Sequence, residues 1–350
     1  MRHPLVDCDL HPTVPGMQAI LPYLDAHWAD TLQQRGVDSL DSVAYPPNAP
    51  LTCRPDWRGP DGLPPADAAT LARIALDPSR TDIAILNCLW GVPLVFNEDM
   101  AVALARAVND WLAAEWLDRD ARFRASLIMP LQSVEASVAE IERRAADRRF
   151  VQVLLPAMWE IPYGRRSLWP VWEACERHGL PLAIQAGSAY RHPPTSLGCP
   201  CFHAEDYAFQ SQGFQSQLAS LVCEGVFLRF PRLKLVLIEA GFAWLPALSW
   251  RLDKVWARHR DELAHVTEPP SETIRRHIWI TTQPMEEPEP PEPRHLSDVM
   301  EWIGWDRIMF ASDYPHWDFD DPDLVIPGTL DAAKRHAIRA GNAMALYRFG

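Results

Sequence analysis

Eight short apolar runs, rich in Val, Ile and Leu, follow one another along the chain at residues 5–11, 82–89, 124–131, 151–156, 180–187, 233–241, 277–284 and 307–314. Most lead into a segment whose apolar residues recur at spacings of three and four, at 98–118, 133–147, 167–178, 212–227 and 245–265. That spacing places one apolar stripe on a helix and leaves its charged face outward. The strand runs lack period-two alternation, as expected of strands covered on both faces. Eight such units predict an α/β fold of the (β/α)8 TIM-barrel type, with an open doubly wound sheet as the alternative arrangement. No close internal repeat supports a solenoid or propeller. Residues 12–81 and 188–211 exceed minimal loops, and they follow strands one and five. Insertions after barrel strands fall on the catalytic rim, so these two are expected to form a lid and a substrate pocket.

Composition narrows the partners. With 350 residues and 48% hydrophobic content, the chain suits one barrel domain over residues 1–350, its 33 prolines clustering in loops between strands. A formal net charge of −13 opposes binding to a phosphate backbone, which makes nucleic acid an unsuitable partner. Met1 to Pro4 lead straight into a run carrying Asp7 and Asp9, unlike an export signal, and no apolar stretch reaches the length of a membrane span. A cytoplasmic protein with reduced thiols is expected, because seven cysteines, an odd number, do not form a disulfide framework. Cys199 and Cys201 read as loop cysteines rather than metal ligands. The tryptophans of the Pro-rich insertions suit a contact between two copies, so a homodimer is the expected assembly.

The polar residues at strand ends carry the candidate chemistry. Asp9 and His11 lie two apart on the first strand and therefore share a face, the geometry of paired metal ligands, although acids and histidines at strand ends are also often merely solvated. Asp313 follows the apolar start of the eighth run, where an unpaired charge is costly and needs a partner such as a cation. Barrel closure makes strands one and eight neighbours, which brings Asp313 to Asp9 and His11. Glu239 ends the sixth run in the same way and admits two readings, a catalytic carboxylate or a salt bridge to Arg251 or Arg307. Thr281, Thr282 and Gln283 end the seventh run and suit hydrogen bonding.

These motifs together are specific. The chain resembles the amidohydrolase-2 branch of the amidohydrolase superfamily from Val6 nearly to Tyr347. The carriers are Asp7-Cys8-Asp9-Leu10-His11-Pro12, Arg229 to Leu235 leading into Ile238-Glu239-Ala240-Gly241-Phe242, Phe310-Ala311-Ser312-Asp313-Tyr314-Pro315-His316, and Gly341-Asn342-Ala343. The resemblance implies a distorted (β/α)8 barrel with a divalent metal, usually zinc or manganese. It also implies hydrolysis or nonoxidative decarboxylation of a small, often aromatic, acid. Asp9 and His11 match the acid-x-His form of the first-strand ligands, Asp313 the strand-eight aspartate that ligates and moves a proton, and His316 the histidine of the same motif. Two positions depart from the family pattern: Gln185 stands where strand five usually carries a metal-binding histidine, and Glu239 where strand six often carries another. Fewer imidazoles weaken a zinc site, whereas Asp9, His11, Asp313 and Glu239 offer the oxygen-rich set preferred by manganese or magnesium. His192, His203 and Glu205 in the insertion are substitute donors.

Under this reading Asp313, His316 and Glu239 are catalytic, Asp9, His11, Asp313 and Gln185 hold the metal, and Arg191, His203 and Gln283 bind a small-molecule substrate. A metal-free acid/base enzyme on the same barrel, catalysing cyclisation, dehydration or hydrolysis, is the alternative that Gln185 favours. A non-catalytic binding relative is disfavoured, because binding alone does not require buried acids that are costly to desolvate.

Overall fold

The structure is a computed structural model that describes residues 4–46, 53–60, 62–190, 192–193, 195–288, 290, 292–327 and 330–349. Eight parallel strands pair in sequence order: β1 (Val6–Leu10), β2 (Ile83–Leu86), β3 (Phe123–Ile128), β4 (Phe150–Pro156), β5 (Leu182–Gln185), β6 (Leu235–Ile238), β7 (Ile278–Thr281) and β8 (Ile308–Met309). All but two of their residues are buried, which explains their continuous apolar runs. The sheet curls until its first and last strands meet. Cys8 N–H donates to the Phe310 carbonyl at 3.0 Å, Asp313 N–H to Asp9 at 3.1 Å and His11 N–H to Tyr314 at 2.9 Å. An open sheet would leave these edges apart, so the architecture is the (β/α)8 barrel.

The outer helices follow from local sequence. In Glu98–Leu112 the buried residues Ala101, Leu104, Ala105, Val108 and Leu112 repeat at three and four, and the Asn97 side chain caps the first turn through Met100 N–H at 2.8 Å. Ser133 caps Val134–Arg144 in the same way. Trp169–His178 ends where Gly179 adopts a left-handed φ of 69°, a conformation that carries no Cβ penalty in glycine. A fully buried leucine on such a stripe contributes about 1.5–3 kcal/mol.

Two boundaries differ from expectation. The helix after β5 runs His203–Cys223, so residues 203–211 are its first turns and not part of a loop. Gln210, Ser211, Gln212 and Gly213 interrupt the apolar period there and conceal the helix from a pattern reading. The helix expected over 245–265 stops at Arg258, and the chain then turns. The first insertion contains the short helices Met17–Ile20, Ala26–Gln34 and Ala68–Leu71. Its strap around Val43 crosses the barrel mouth: Val43 N–H donates to Leu89 at 2.9 Å, while its carbonyl accepts from Ser188 N–H at 3.0 Å. The strap is thereby tied to the segments leaving β2 and β5.

Candidate active site and metal centre

Strand ends supply the site residue by residue. Asp9 and His11 leave β1, Gln185 ends β5, Glu239 immediately follows β6, Gln283 lies just beyond β7, and Asp313 and His316 lie beyond β8. All seven are buried. Glu239 and Asp313 adopt positive φ values of 55° and 60°, unusual for non-glycine residues and concentrated where backbone strain serves a site. Barrel closure converts sequence distance into contact. His11 Nε2 lies 2.9 Å from Asp313 Oδ1 and 3.4 Å from Asp9 Oδ1. His316 Nδ1 lies 2.8 Å from the same Asp313 oxygen, and the two imidazoles stack with centroids 4.7 Å apart.

Outer contacts orient these groups. His11 Nδ1 donates to the Asn87 carbonyl at 2.8 Å, which leaves Nε2 as the nitrogen that faces the carboxylates. The Asn87 side-chain amide donates to Asp9 Oδ1 at 2.7 Å, and Gln185 Nε2 bridges Glu239 Oε2 at 2.9 Å and Asp9 Oδ2 at 3.3 Å. Gln283 Nε2 donates to Asp313 at 3.2 Å and to Asp318 at 2.9 Å, and Tyr207 donates its hydroxyl to Asp318. Thr281 accepts the Glu239 N–H at 3.1 Å and Thr282 accepts the Ala311 N–H at 3.2 Å, so both threonines make the expected hydrogen bonds.

The electrostatics are those of crowded buried acids. Burial, reinforced by Asp313, Asp9 and Asp318, holds the Glu239 carboxyl well above its usual range. Burial also raises Asp9, with Asp313 adding to the shift and His11 opposing it. At Asp313 burial works against ionisation, but His316 and His11 overcome it and draw the carboxyl down to about 2. Burial would lower His11, yet Asp9 and Asp313 raise it to about 9. One oxygen each from Asp9, Glu239 and Asp313 lies within 4.8 Å of the others, and so do single atoms of His11, Asp313 and His316. A divalent cation fits this donor set. It would neutralise the repelling carboxylates and give the Gln185 Oε1, buried and without a hydrogen-bond partner among the described residues, something to face.

The expected residues separate clearly. Asp9, His11, Gln185, Glu239, Gln283, Asp313 and His316 converge. Among the described residues Glu239 forms no arginine salt bridge: it accepts from the Gln185 amide, and Arg307 pairs with Asp306 instead. His203 stands at the rim, its ring 6.0 Å from Tyr45 and 6.5 Å from Tyr207. His192 faces Trp159 at 6.1 Å and Glu205 caps Cys201 N–H at 2.8 Å, so neither substitute donor joins a metal cluster among the described residues. Arg191 lies outside the described residues. Sequence reasoning missed Asn87, Asp318, Tyr207 and Tyr45. Asn87 lies two residues before the end of the second apolar run, as Asp9 does in the first, and Asp318 extends the alternation of His316, so both carried a usable signal. Tyr207 lay in the misread helix start, and Tyr45, whose ring meets His316 at 5.4 Å, lay in the first insertion.

A (β/α)8 barrel with acids and histidines gathered at the C-terminal ends of its strands defines a barrel enzyme scaffold. The Amidohydrolase family profile matches residues 6–349, and the chain belongs to that family. Gamma-resorcylate decarboxylase of Rhizobium radiobacter is 29% identical over 281 residues, covering 73% of this chain and 80% of that protein. An amidohydrolase from Mycobacterium avium subsp. paratuberculosis K-10 superimposes with a TM-score of 0.75 at 23% identity, covering 99% of this chain and all of that one. A dihydroxybenzoic acid decarboxylase from Polaromonas sp. JS666, solved with bound manganese and the inhibitor 2-nitroresorcinol, gives 0.69 at 20% identity, covering 99% of this chain and 97% of that one. No helix among the described residues is long and apolar enough to cross a membrane.

Proposed function

We propose that this protein is a divalent-metal-dependent decarboxylase of a small hydroxylated aromatic acid. The observation that carries the reading is the buried meeting of Asp9, Glu239 and Asp313 beside His11, a cluster that calls for a cation. The names of the curated relatives, gamma-resorcylate decarboxylases among them, support the reaction and the substrate class. Asp9, His11, Asp313 and Glu239 would hold the metal, with Gln185 contributing its free amide oxygen. This oxygen-rich set favours manganese over zinc. The bound metal supplies Lewis acidity toward the substrate's carboxylate and neighbouring hydroxyl.

The remaining work falls to the chain's own groups. Asp313 Oδ1 and His316 Nδ1 lie 2.8 Å apart and would act as a dyad in which the imidazole brings a proton to the carboxylate. That proton is delivered to the ring carbon bearing the carboxylate, after which the C–C bond breaks and its electrons restore the aromatic ring as carbon dioxide leaves. Gln283 Oε1, buried and without a hydrogen-bond partner among the described residues, would accept from a substrate hydroxyl. His203, with Tyr45, Tyr207 and Trp317, lines the mouth as an aromatic wall, and Arg191 is assigned to the substrate's anionic side. Water is kept out by the strap around Val43, which with the segment after β5 forms the pocket. Exposed Leu197 and Phe202 beside that segment suit a contact with a second copy, so a homodimer is proposed, with mass measurement by light scattering as its check.

Metal analysis of the purified protein, combined with carbon dioxide release from a panel of hydroxybenzoates, tests the reading. One manganese per chain and turnover reduced by at least about 100-fold in Asp313→Asn would support it. Full turnover after exhaustive chelation would overturn it in favour of metal-free acid/base chemistry, in which the Gln185 bridge neutralises Asp9 and Glu239 by hydrogen bonding alone.

A further inference from the structure

A second concave site lies on the opposite face of the barrel. Residues at or beside the N-terminal ends of β3 to β8, together with the last turn of the chain, line a cleft of about 1110 Å³. Its lining contains seven lysine or arginine residues against two acids, Glu176 and Asp306, in a chain whose formal net charge is −13. Such a local reversal of sign needs an explanation, because like charges gathered in a concavity repel and low-dielectric walls focus their field.

Some of these cations are already matched. Arg177 pairs with Glu142 at 2.8 Å, Arg232 lies 3.7 Å from Glu176, and Arg307 pairs with Asp306 at 2.9 Å. Among the described residues Arg124 donates to the backbone carbonyls of Ala121 and Phe123 and to no carboxylate. Arg148, Lys234 and Arg348 have no carboxylate among the ion pairs of the described residues. Lys234 Nζ and Arg307 Cζ both lie against the Trp279 ring, 5.3 Å and 4.4 Å from its centroid, which holds two positive charges side by side. Burial lowers the Lys234 pKa, and Arg307 and Arg276 lower it further, the response of an ammonium short of counter-charge.

We propose that this cleft is a binding site for a small polyphosphate anion, distinct from the reaction centre at the other end of the barrel. Guanidinium forks match phosphate oxygens bidentately, and Lys234 adds a point charge beside them. The occupant is small because a long polyanion would run from the cleft onto a surface that is acidic overall. Its phosphates come either as free polyphosphate or as the tail of a nucleotide, and the two differ in whether a base adds affinity.

Isothermal titration of the metal-loaded protein with inorganic tripolyphosphate, and in parallel with adenosine triphosphate, tests the assignment at about 0.1 M salt, where exposed charges more than a Debye length apart are already screened. One saturable site per chain is expected, weakened at least tenfold in Lys234→Gln and in Arg148→Gln and unchanged in Arg106→Gln, which lies outside the cleft. Arg148 is exposed, so its replacement leaves the core untouched. Equal affinity for both ligands would identify free polyphosphate, and tighter binding of the nucleotide would identify a nucleotide tail. Absence of saturable binding, or binding that Lys234→Gln and Arg148→Gln leave unchanged, as stripping of metal from the reaction centre would be, overturns the proposal.

Discussion

Asn87 shows how much of a site can rest on one residue behind its carboxylates. Its carbonyl fixes the His11 ring through Nδ1 and its amide holds Asp9 Oδ1, while its own oxygen accepts from Ser126 at 2.5 Å. Ser126 in turn accepts from Gln152, and Gln152 accepts from the Tyr347 hydroxyl at 2.6 Å, so a polar column runs through the barrel to Asp9. Partners of this kind typically govern metal affinity by about 10–100-fold. Asn87→Ala is therefore expected to weaken manganese binding by about that factor in a competitive chelator titration, with His11 and Asp9 still in place. Unchanged affinity would show that the column is structural only. His277 illustrates the opposite case, a histidine with no role at the site. It is buried, stacks on Phe227 at 4.9 Å and contacts the Leu233 carbonyl through Nδ1 at 2.8 Å. Burial depresses its pKa below the ordinary value of about 6.5. A histidine depressed in the folded state contributes stability that is present above its unfolded pKa and is lost as pH falls toward the folded one. Chemical denaturation at pH 7.5 and 5.5 should show His277→Asn losing less stability on acidification than the wild type.

At the scale of elements, the strands were legible because burial on both faces leaves an uninterrupted apolar run, and all eight fall within or overlap the expected segments. Convergence of Asp9, His11 and Asp313 was legible for the same reason: closure is a property of the barrel, so strand-end residues far apart in sequence must meet. The rim was not legible. Loops and polar helix starts have no period, which is why His203–Cys223 began earlier than its pattern and why Tyr207 and Tyr45 went unseen. The strap around Val43 is held by a close approach to Gly91, where an added Cβ would lie 2.1 Å from the Asp41 carbonyl oxygen. The strap also carries Tyr45 against His316. Gly91→Ala must push the strap outward, at a cost of about 1–3 kcal/mol typical of overpacking. The expected result is a raised KM with a smaller change in kcat, read by steady-state kinetics alongside thermal unfolding. Unaltered kinetics would remove the strap from the substrate pocket.

The whole molecule trades stability for this site. Asp9, Glu239 and Asp313 are buried within reach of one another, with Asp318 adding a fourth carboxyl nearby, and among the described residues His11 and His316 oppose them from within the cluster. Without a cation the cluster destabilises the fold, so metal binding must appear as stability. A ligand at one hundred times its Kd adds about 2.7 kcal/mol. An unfolding entropy of about 2.1 cal/mol/K per residue makes a 350-residue domain shift by about 1.4 °C per kcal/mol, so saturating manganese should raise Tm by about 4 °C and a chelator should reverse the shift. Glu239→Gln separates this account from a general effect of metal on the protein surface. The substitution keeps the shape and a donor for the pocket but removes a carboxyl that burial and its acidic neighbours hold well above its usual range at a cost to the folded state, so the chelated variant should melt above the chelated wild type while gaining less from manganese. The two effects have opposite signs and a common origin. A variant that instead melts lower without metal and gains as much from it would place Glu239 outside the cation site, leaving Asp9, His11 and Asp313 to hold the ion.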